Sequence, residues 1–184
     1  MERSRRTWKR LGAAIAVLAA LALPAAGCGG GGEPPPAHGS ASSPGQLVRS
    51  SNQILGGGER AFKRQLDALR GHPIVVNKWA SWCGPCRFEF KFFRNIANKL
   101  GRTIAFLGVD SRDSISEAKD FLQKFPVPYP SFYDRKGEIA RAFRGDRAFP
   151  TTAFYNREGK LVFTKQGGYA SEDALAKDIT QYLQ

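Results

Sequence analysis

The sequence predicts an α/β domain in which helices flank a mixed central β-sheet. Three observations predict it. An apolar, β-branched run, Ile74–Trp79, leads into Cys83-Gly-Pro-Cys86 and then into an amphipathic helix. Helix-period and strand-length segments alternate from Glu59 onward. The chain closes with two short apolar strands around Asn156-Arg-Glu-Gly159, a hairpin pattern with glycine in the turn, and one last helix.

Taken in order, Glu59–Arg70 places Phe62, Leu66 and Leu69 on one helical face, and Gly71 ends it. Ile74–Trp79 is apolar on both alternating faces, which predicts a central, buried strand. The next helix runs to about Leu100, with Phe88, Phe92, Ile96 and Leu100 as its apolar stripe, Phe93 and Ala97 beside them, and Gly101 as its C-terminal cap. Thr103–Val109 reads as a second buried strand ending at Asp110. Ser114-Ile-Ser-Glu117 is a capping box for a helix whose inner face is Ala118, Phe121, Leu122 and Phe125. Pro126, Pro128 and Pro130 stop it; a short strand at Pro130–Asp134 and a short helix near Glu138–Phe143 follow. Thr151–Tyr155 and Leu161–Thr164 are the hairpin strands. Ser171 caps the final helix, whose inner face is Leu175, Ile179, Tyr182 and Leu183.

The order strand, Cys-Gly-Pro-Cys, helix has a chemical consequence. It puts Cys83 at a helix N-terminus, where unpaired N–H groups and the helix dipole favour an anion. The anion is the thiolate, the form of cysteine that attacks disulfides. Pro85 falls in the first turn, where its missing N–H costs nothing. Cys86 is close enough in sequence to form a small disulfide ring with Cys83 and to attack a mixed disulfide on it. A zinc site needs about four ligands, and the extra Cys or His residues are not present beside this pair.

The front of the 184-residue chain reads as an export signal. Five bases fall in Met1–Arg10, Leu11–Leu23 is almost wholly apolar, and Pro24-Ala-Ala-Gly-Cys28 follows. The apolar run is short of the about 20 residues a membrane span needs. Ala25-Ala26-Gly27-Cys28 resembles a bacterial lipoprotein signal, which implies cleavage before Cys28 and acylation of that residue. The alternative is a plain secreted protein. Lipidation also accounts for the odd cysteine among three, leaving Cys83 and Cys86 as a pair. Segment 1–27 is thus the expected signal, the Gly/Pro/Ser-rich segment 28–45 a flexible tether carrying His38, and 46–184 the folded domain. The expected place is the outer face of the cytoplasmic membrane.

Net charge is +12, and the signal's five bases and one acid leave about +8 on the mature chain. The bases are dispersed without a nucleic-acid motif, which excludes a nucleic-acid role and fits attraction to an anionic membrane surface or an acidic partner.

The NKWASWCGPCR stretch, Phe149-Pro-Thr-Thr152, the Asn156–Gly159 hairpin and Gly167-Gly168 together resemble the thioredoxin superfamily, and within it the TlpA/ResA-type exported thiol–disulfide oxidoreductases. The match spans roughly His72–Gln184, and the extra helix and strand between Asp110 and Phe143 match that branch's central insertion. The resemblance implies a thioredoxin-like fold and thiol–disulfide exchange without a cofactor or metal. It implies that Cys83 is the nucleophile and more exposed thiol, and Cys86 the buried resolving thiol. Pro150 follows a cis peptide bond opposite the dithiol and turns the Phe149 backbone toward substrate; Trp82, Gly84 and Pro85 complete the contact surface. A Glu at position 89 sits beneath the cysteines and takes the Cys86 proton. The implied duty is reduction of exported proteins, such as apocytochrome c in cytochrome c maturation, with electrons from a membrane thiol transporter. Oxidative folding or repair is the alternative, and a metal or haem chaperone using the thiols as ligands is the reading from another class. No histidine lies near the pair and no methionine lies beyond Met1, which weighs against copper delivery.

Four positions depart from the family pattern. Gly56–Arg70 looks helical where the branch has a β-hairpin, and Lys91 stands where a kinking proline is common. Asn77 replaces thioredoxin's buried acid, which puts the acid role on Glu89. Lys78 replaces a large apolar residue; its expected arrangement is a buried stem with the ammonium in water, or a pair with Glu89.

Overall fold

The computed structural model describes residues 43–183. The expected signal segment, Cys28, His38 and the tether up to residue 42 lie outside the described residues. In chain order the elements are α1 (Pro44–Leu47), a 3-10 turn (Val48–Ser50), β1 (Ile54–Leu55), α2 (Gly58–Ala68), β2 (Ile74–Trp79), α3 (Gly84–Leu100), β3 (Ala105–Ser111), α4 (Ile115–Lys124), β4 (Ser131–Asp134), α5 (Glu138–Ala142), β5 (Thr151–Tyr155), β6 (Leu161–Gln166) and α6 (Glu172–Leu183).

The strands form one mixed sheet in the order β1-β4-β3-β2-β5-β6. β1, β4, β3 and β2 run parallel to their neighbours, while β5 pairs antiparallel with both β2 and β6. β2 is central and buried at every residue, as its apolar pattern requires. The period of two then sorts side chains to the two faces. Val75 and Trp79 join a core with α3, α4 and α6, including Phe90, Phe93, Phe121 and Ile179. Ile74 and Val76 join a second core with Phe62 of α2, Leu107, Phe132 and Phe143.

Trp79 is the hub of the first core. It stacks on Phe121 at 5.0 Å and meets Phe90 edge-on at 5.2 Å, and its Nε1–H donates to Ser131 Oγ at 3.1 Å. That hydrogen bond crosses Gly108, where an added Cβ would lie 2.0 Å from Ser131 Oγ. Glycine is therefore dictated by close approach within a central strand.

Several elements differ from the sequence expectation. α1 and β1 were not foreseen; β1 pairs with β4 for only two residues, too few to leave a periodicity. α1 begins at Pro44, so its first turn starts ahead of residue 46 and buries Pro44 and Leu47. Phe88, placed in the apolar stripe of α3, is 52% exposed, and Phe90 and Glu89 are buried instead. The helix turns its Cys86–Glu89–Phe93 line inward because the dithiol end must meet the sheet. Gly101 caps α3 without a left-handed backbone: its φ is −65°, and glycine is needed because a Cβ would lie 2.4 Å from the Ala97 carbonyl oxygen.

Candidate functional site

The site lies where β2 ends and α3 begins. Cys83 is the N-cap of α3 in extended geometry, and the Cys86 N–H donates to Cys83 Sγ at 3.1 Å. Sulfur takes the place that a Ser or Asp oxygen takes at an ordinary cap, so a thiolate formed there is held by a backbone donor and the positive end of the helix. The two cysteines are bonded, with Sγ–Sγ 1.96 Å and Cα–Cα 5.3 Å. Cys83 is 3% exposed and Cys86 0%. Gly84 and Pro85 are exposed above them, and Pro85 sits in the first turn of α3.

A rim surrounds the dithiol. Trp82 is 57% exposed, and its Nε1–H donates to the Arg112 carbonyl at 3.1 Å. Its ring packs on Phe149 at 4.8 Å. The Phe149–Pro150 bond is cis. Phe149 is half-buried and Pro150 buried, and the Pro150 carbonyl accepts from Gly167 N–H at 2.9 Å. Next to Trp82 a groove of about 380 Å³ is lined by Ser81, Arg87, Glu117, Phe121 and Lys124. Ser81 is pinned through its N–H and hydroxyl to the Asp113 carboxylate, which also caps the turn into α4 through Ser114 N–H at 2.7 Å. This brace was not foreseen from the sequence; an Asp beside a capping box is the only signal it leaves.

Glu89 is 0% exposed, one helical turn beyond Cys86. Its Oε1 accepts from Asn77 Nδ2 at 2.8 Å and its Oε2 from Tyr169 N–H at 2.9 Å. An added side chain at Gly168 would meet Pro150 Cγ at 3.4 Å and Glu89 Oε2 at 3.5 Å, so the acid and the proline share one floor. Asn77 thus acts as a donor that orients Glu89. Burial pushes the Glu89 carboxyl up to about 7, against the pull of its Tyr169 and Asn77 hydrogen bonds. A group poised there holds or releases a proton near neutrality.

The sign of the resulting pH dependence is fixed. Native Glu89 keeps a proton that the unfolded chain releases near 4.5, so stability is full below that pH and falls as pH rises to about 7. The loss is about 3 kcal/mol. Glu89→Gln should abolish this fall, at a cost of about 1 kcal/mol at low pH for turning an acceptor into a donor. Urea unfolding at acid and alkaline pH checks it; a pH-independent difference from wild type would contradict the assignment.

Lys78 corrects both sequence expectations. It is 1% exposed, so its ammonium does not reach water, and it stands on the sheet face opposite Asn77 and Trp79, away from Glu89. Its Nζ donates to the Gly145 carbonyl and lies 3.5 Å from the centroid of the Phe149 ring. His72 is half-buried before β2, and Lys91 is exposed over Phe88 and Phe92. Among the described residues, no group of three or more His, Cys, Asp or Glu side chains is arranged to hold a metal ion.

Comparison with known proteins agrees with this geometry. The Redoxin family model matches residues 62–179. The thiol-disulfide oxidoreductase ResA of Bacillus thuringiensis subsp. konkukian is 23% identical over 111 residues, which span 60% of this chain and 64% of that protein. The match thus covers under two thirds of that relative's length. The thiol:disulfide interchange protein HelX of Rhodobacter capsulatus is 30% identical over 117 residues, 64% of each chain. The crystal structure of the exposed lipoprotein thioredoxin of Streptococcus pneumoniae superposes with a TM-score of 0.56 at 27% identity, covering 63% of this chain and 89% of that one. The chain belongs to the Redoxin family, as a TlpA/ResA-like member of the thioredoxin superfamily.

Proposed function

We propose that this protein exchanges thiols and disulfides in exported proteins through Cys83 and Cys86, and that it acts as a reductant. The observation that carries the reading is the dithiol at the N-terminus of α3, with the Cys86 N–H on Cys83 Sγ. In the reduced protein the Cys83 thiolate attacks one sulfur of a substrate disulfide. A mixed disulfide forms and the other substrate sulfur leaves as a thiolate. Cys86 gives its proton to Glu89 and attacks Cys83 Sγ, and the second substrate sulfur leaves. Two electrons pass to the substrate, and the Cys83–Cys86 disulfide remains. Trp82, Gly84, Pro85 and the Phe149–Pro150 edge contact the substrate peptide, which adds as an extended strand.

The Gly-Pro pair between the cysteines matches that of thioredoxin, which works near about −270 mV. It supports reduction as the direction and apocytochrome c cysteines as substrates, with a membrane thiol transporter returning electrons. The Ala25–Cys28 pattern and the likeness to an exposed lipoprotein support a lipid anchor at Cys28. Cys86→Ser tests the exchange. In cells the variant should accumulate mixed disulfides between Cys83 and exported proteins, released by dithiothreitol. If no adduct forms, exchange is not the function. A reduction potential near about −120 mV would reverse the direction and make the protein a disulfide donor.

A further inference from the structure

Among the described residues Lys78 is the only Lys or Arg that is buried. Burying an ammonium is costly unless its donors and charge are answered. Here they are answered by two groups of one segment: the Gly145 carbonyl accepts from Nζ, and the Phe149 ring presents its face 3.5 Å away. The segment between them leads from α5 to β5 and ends at the Phe149–Pro150 bond. Its other ties include Gly145 N–H to the Ala140 carbonyl at 2.7 Å, Thr151 Oγ1 to the Ala148 carbonyl at 2.8 Å, and, at its α5 end, Gln166 Nε2 to the Arg144 carbonyl at 2.6 Å and Thr164 Oγ1 to the Phe143 carbonyl at 2.9 Å. The Phe149 ring also packs on Trp82, next to Cys83. Lys78, Phe149 and Trp82 thus form a line of contacts from the sheet to the rim of the dithiol.

We propose that Lys78 is a positioning residue that holds the 145–149 segment by Gly145 and the Phe149 ring, in the conformation that presents the Phe149 backbone to a peptide substrate. It acts through Phe149 and touches no reacting atom. The inference rests on the reading of Phe149 and Pro150 as the peptide-docking edge. Substrates that dock as peptides sense Lys78, and small disulfides that need only the thiols do not.

The charge should matter as well as the donor. The groups facing Lys78 are Arg112 from the β3–α4 loop, Asp134 at the end of β4 and Asp146 from the segment itself. Burial, with Arg112, brings the ammonium down to about 8, against Asp146 and Asp134. Above that pH the neutral amine can still donate to Gly145 but loses its attraction to the ring face.

The test compares insulin, a peptide disulfide, with hydroxyethyl disulfide, using the reduced full-length protein. Lys78→Met should raise KM for insulin about fivefold at pH 7 and leave its kcat and the small-disulfide rate unchanged. In wild type the insulin-to-small-disulfide KM ratio should rise by a similar factor as pH passes about 8. That ratio should be flat in Lys78→Met and in Lys78→Arg, which keeps a cation. An unchanged KM in the Met variant overturns the proposal, and so does an equal loss on both substrates. If either variant fails to fold, the wild-type pH profile decides alone, and a flat profile overturns it. Two controls separate this from the underlying readings. A wild type inactive on both disulfides would sink the exchange reading. A Phe149 amide resonance that does not move in the mixed disulfide of Cys86→Ser with insulin B chain would sink the docking edge. If that resonance moves and Lys78→Met keeps its KM, Lys78 alone is misassigned.

Discussion

Replacing Cys83 with alanine should remove disulfide exchange, lowering kcat/KM on a peptide disulfide by more than about a thousandfold. The size follows from what the residue supplies. Cys83 is the thiol at the cap of α3, the one whose sulfur accepts the Cys86 N–H. Cys86 is 0% exposed, without an opening of its own to substrate, so it cannot replace Cys83 as the first attacker. Folding should survive the change. The disulfide closes a loop with a sequence separation of 3, so it restrains little of the unfolded chain. The measurement is insulin reduction by the reduced protein, with circular dichroism as the folding control. Residual activity above a hundredth of wild type would show that Cys86 can start the reaction and would reverse the two roles.

Asp110→Asn should stabilise the protein at neutral pH by about 4 kcal/mol. Asp110 ends β3 opposite Trp79 and is 0% exposed. Neither of its carboxyl oxygens has a partner at hydrogen-bond geometry. Burial first, then the neighbouring Asp113 and Asp134 carboxylates, push its carboxyl up to about 9 from an ordinary 3.8. Native Asp110 therefore keeps its proton through neutrality, while the unfolded chain gains by losing it. Its stability contribution is full below about pH 3.8 and declines as pH rises to about 9. Asparagine keeps the shape and removes the ionisation. The two proteins should melt together near pH 4, while at pH 7 the variant should melt on the order of 10 °C higher. Equal melting temperatures at both pH values would show that the Asp110 carboxyl is not shifted in the native state. The Ser81–Asp113 hydrogen bonds stand three residues beyond Asp110 and two residues before Cys83.

Legibility in the sequence followed the range of the interaction. β2 and α3 were readable because the period-two apolar run and the helical apolar stripe are local patterns. The helix boundaries came from caps such as Ser114, whose Oγ accepts from Glu117 N–H. The dithiol was readable because a strand running into a helix leaves the intervening cysteine at the N-cap whatever surrounds it. α1 and β1 were not readable: a four-residue turn and a two-residue strand exist only because α1 packs Pro44 and Leu47 inward and β4 offers an edge.

Side-chain orientation at the site came from long-range contacts. Phe88 and Glu89 are neighbours on α3, and composition alone favours burying the phenylalanine. The sheet decided otherwise, because Asn77 from β2 and the Tyr169 N–H supply Glu89 with two donors across 12 and 80 residues of sequence. Lys78 is buried for the same kind of reason, its acceptor lying 67 residues away in Gly145. The sequence by itself determined the longer elements, the family and the cysteine pair, since periodicity, capping and the Cys-Gly-Pro-Cys spacing are properties of adjacent residues. Only the tertiary structure decided which charges are buried and what holds them, because Lys78 and Glu89 find their partners far along the chain, and an acid left without one, Asp110, keeps its proton.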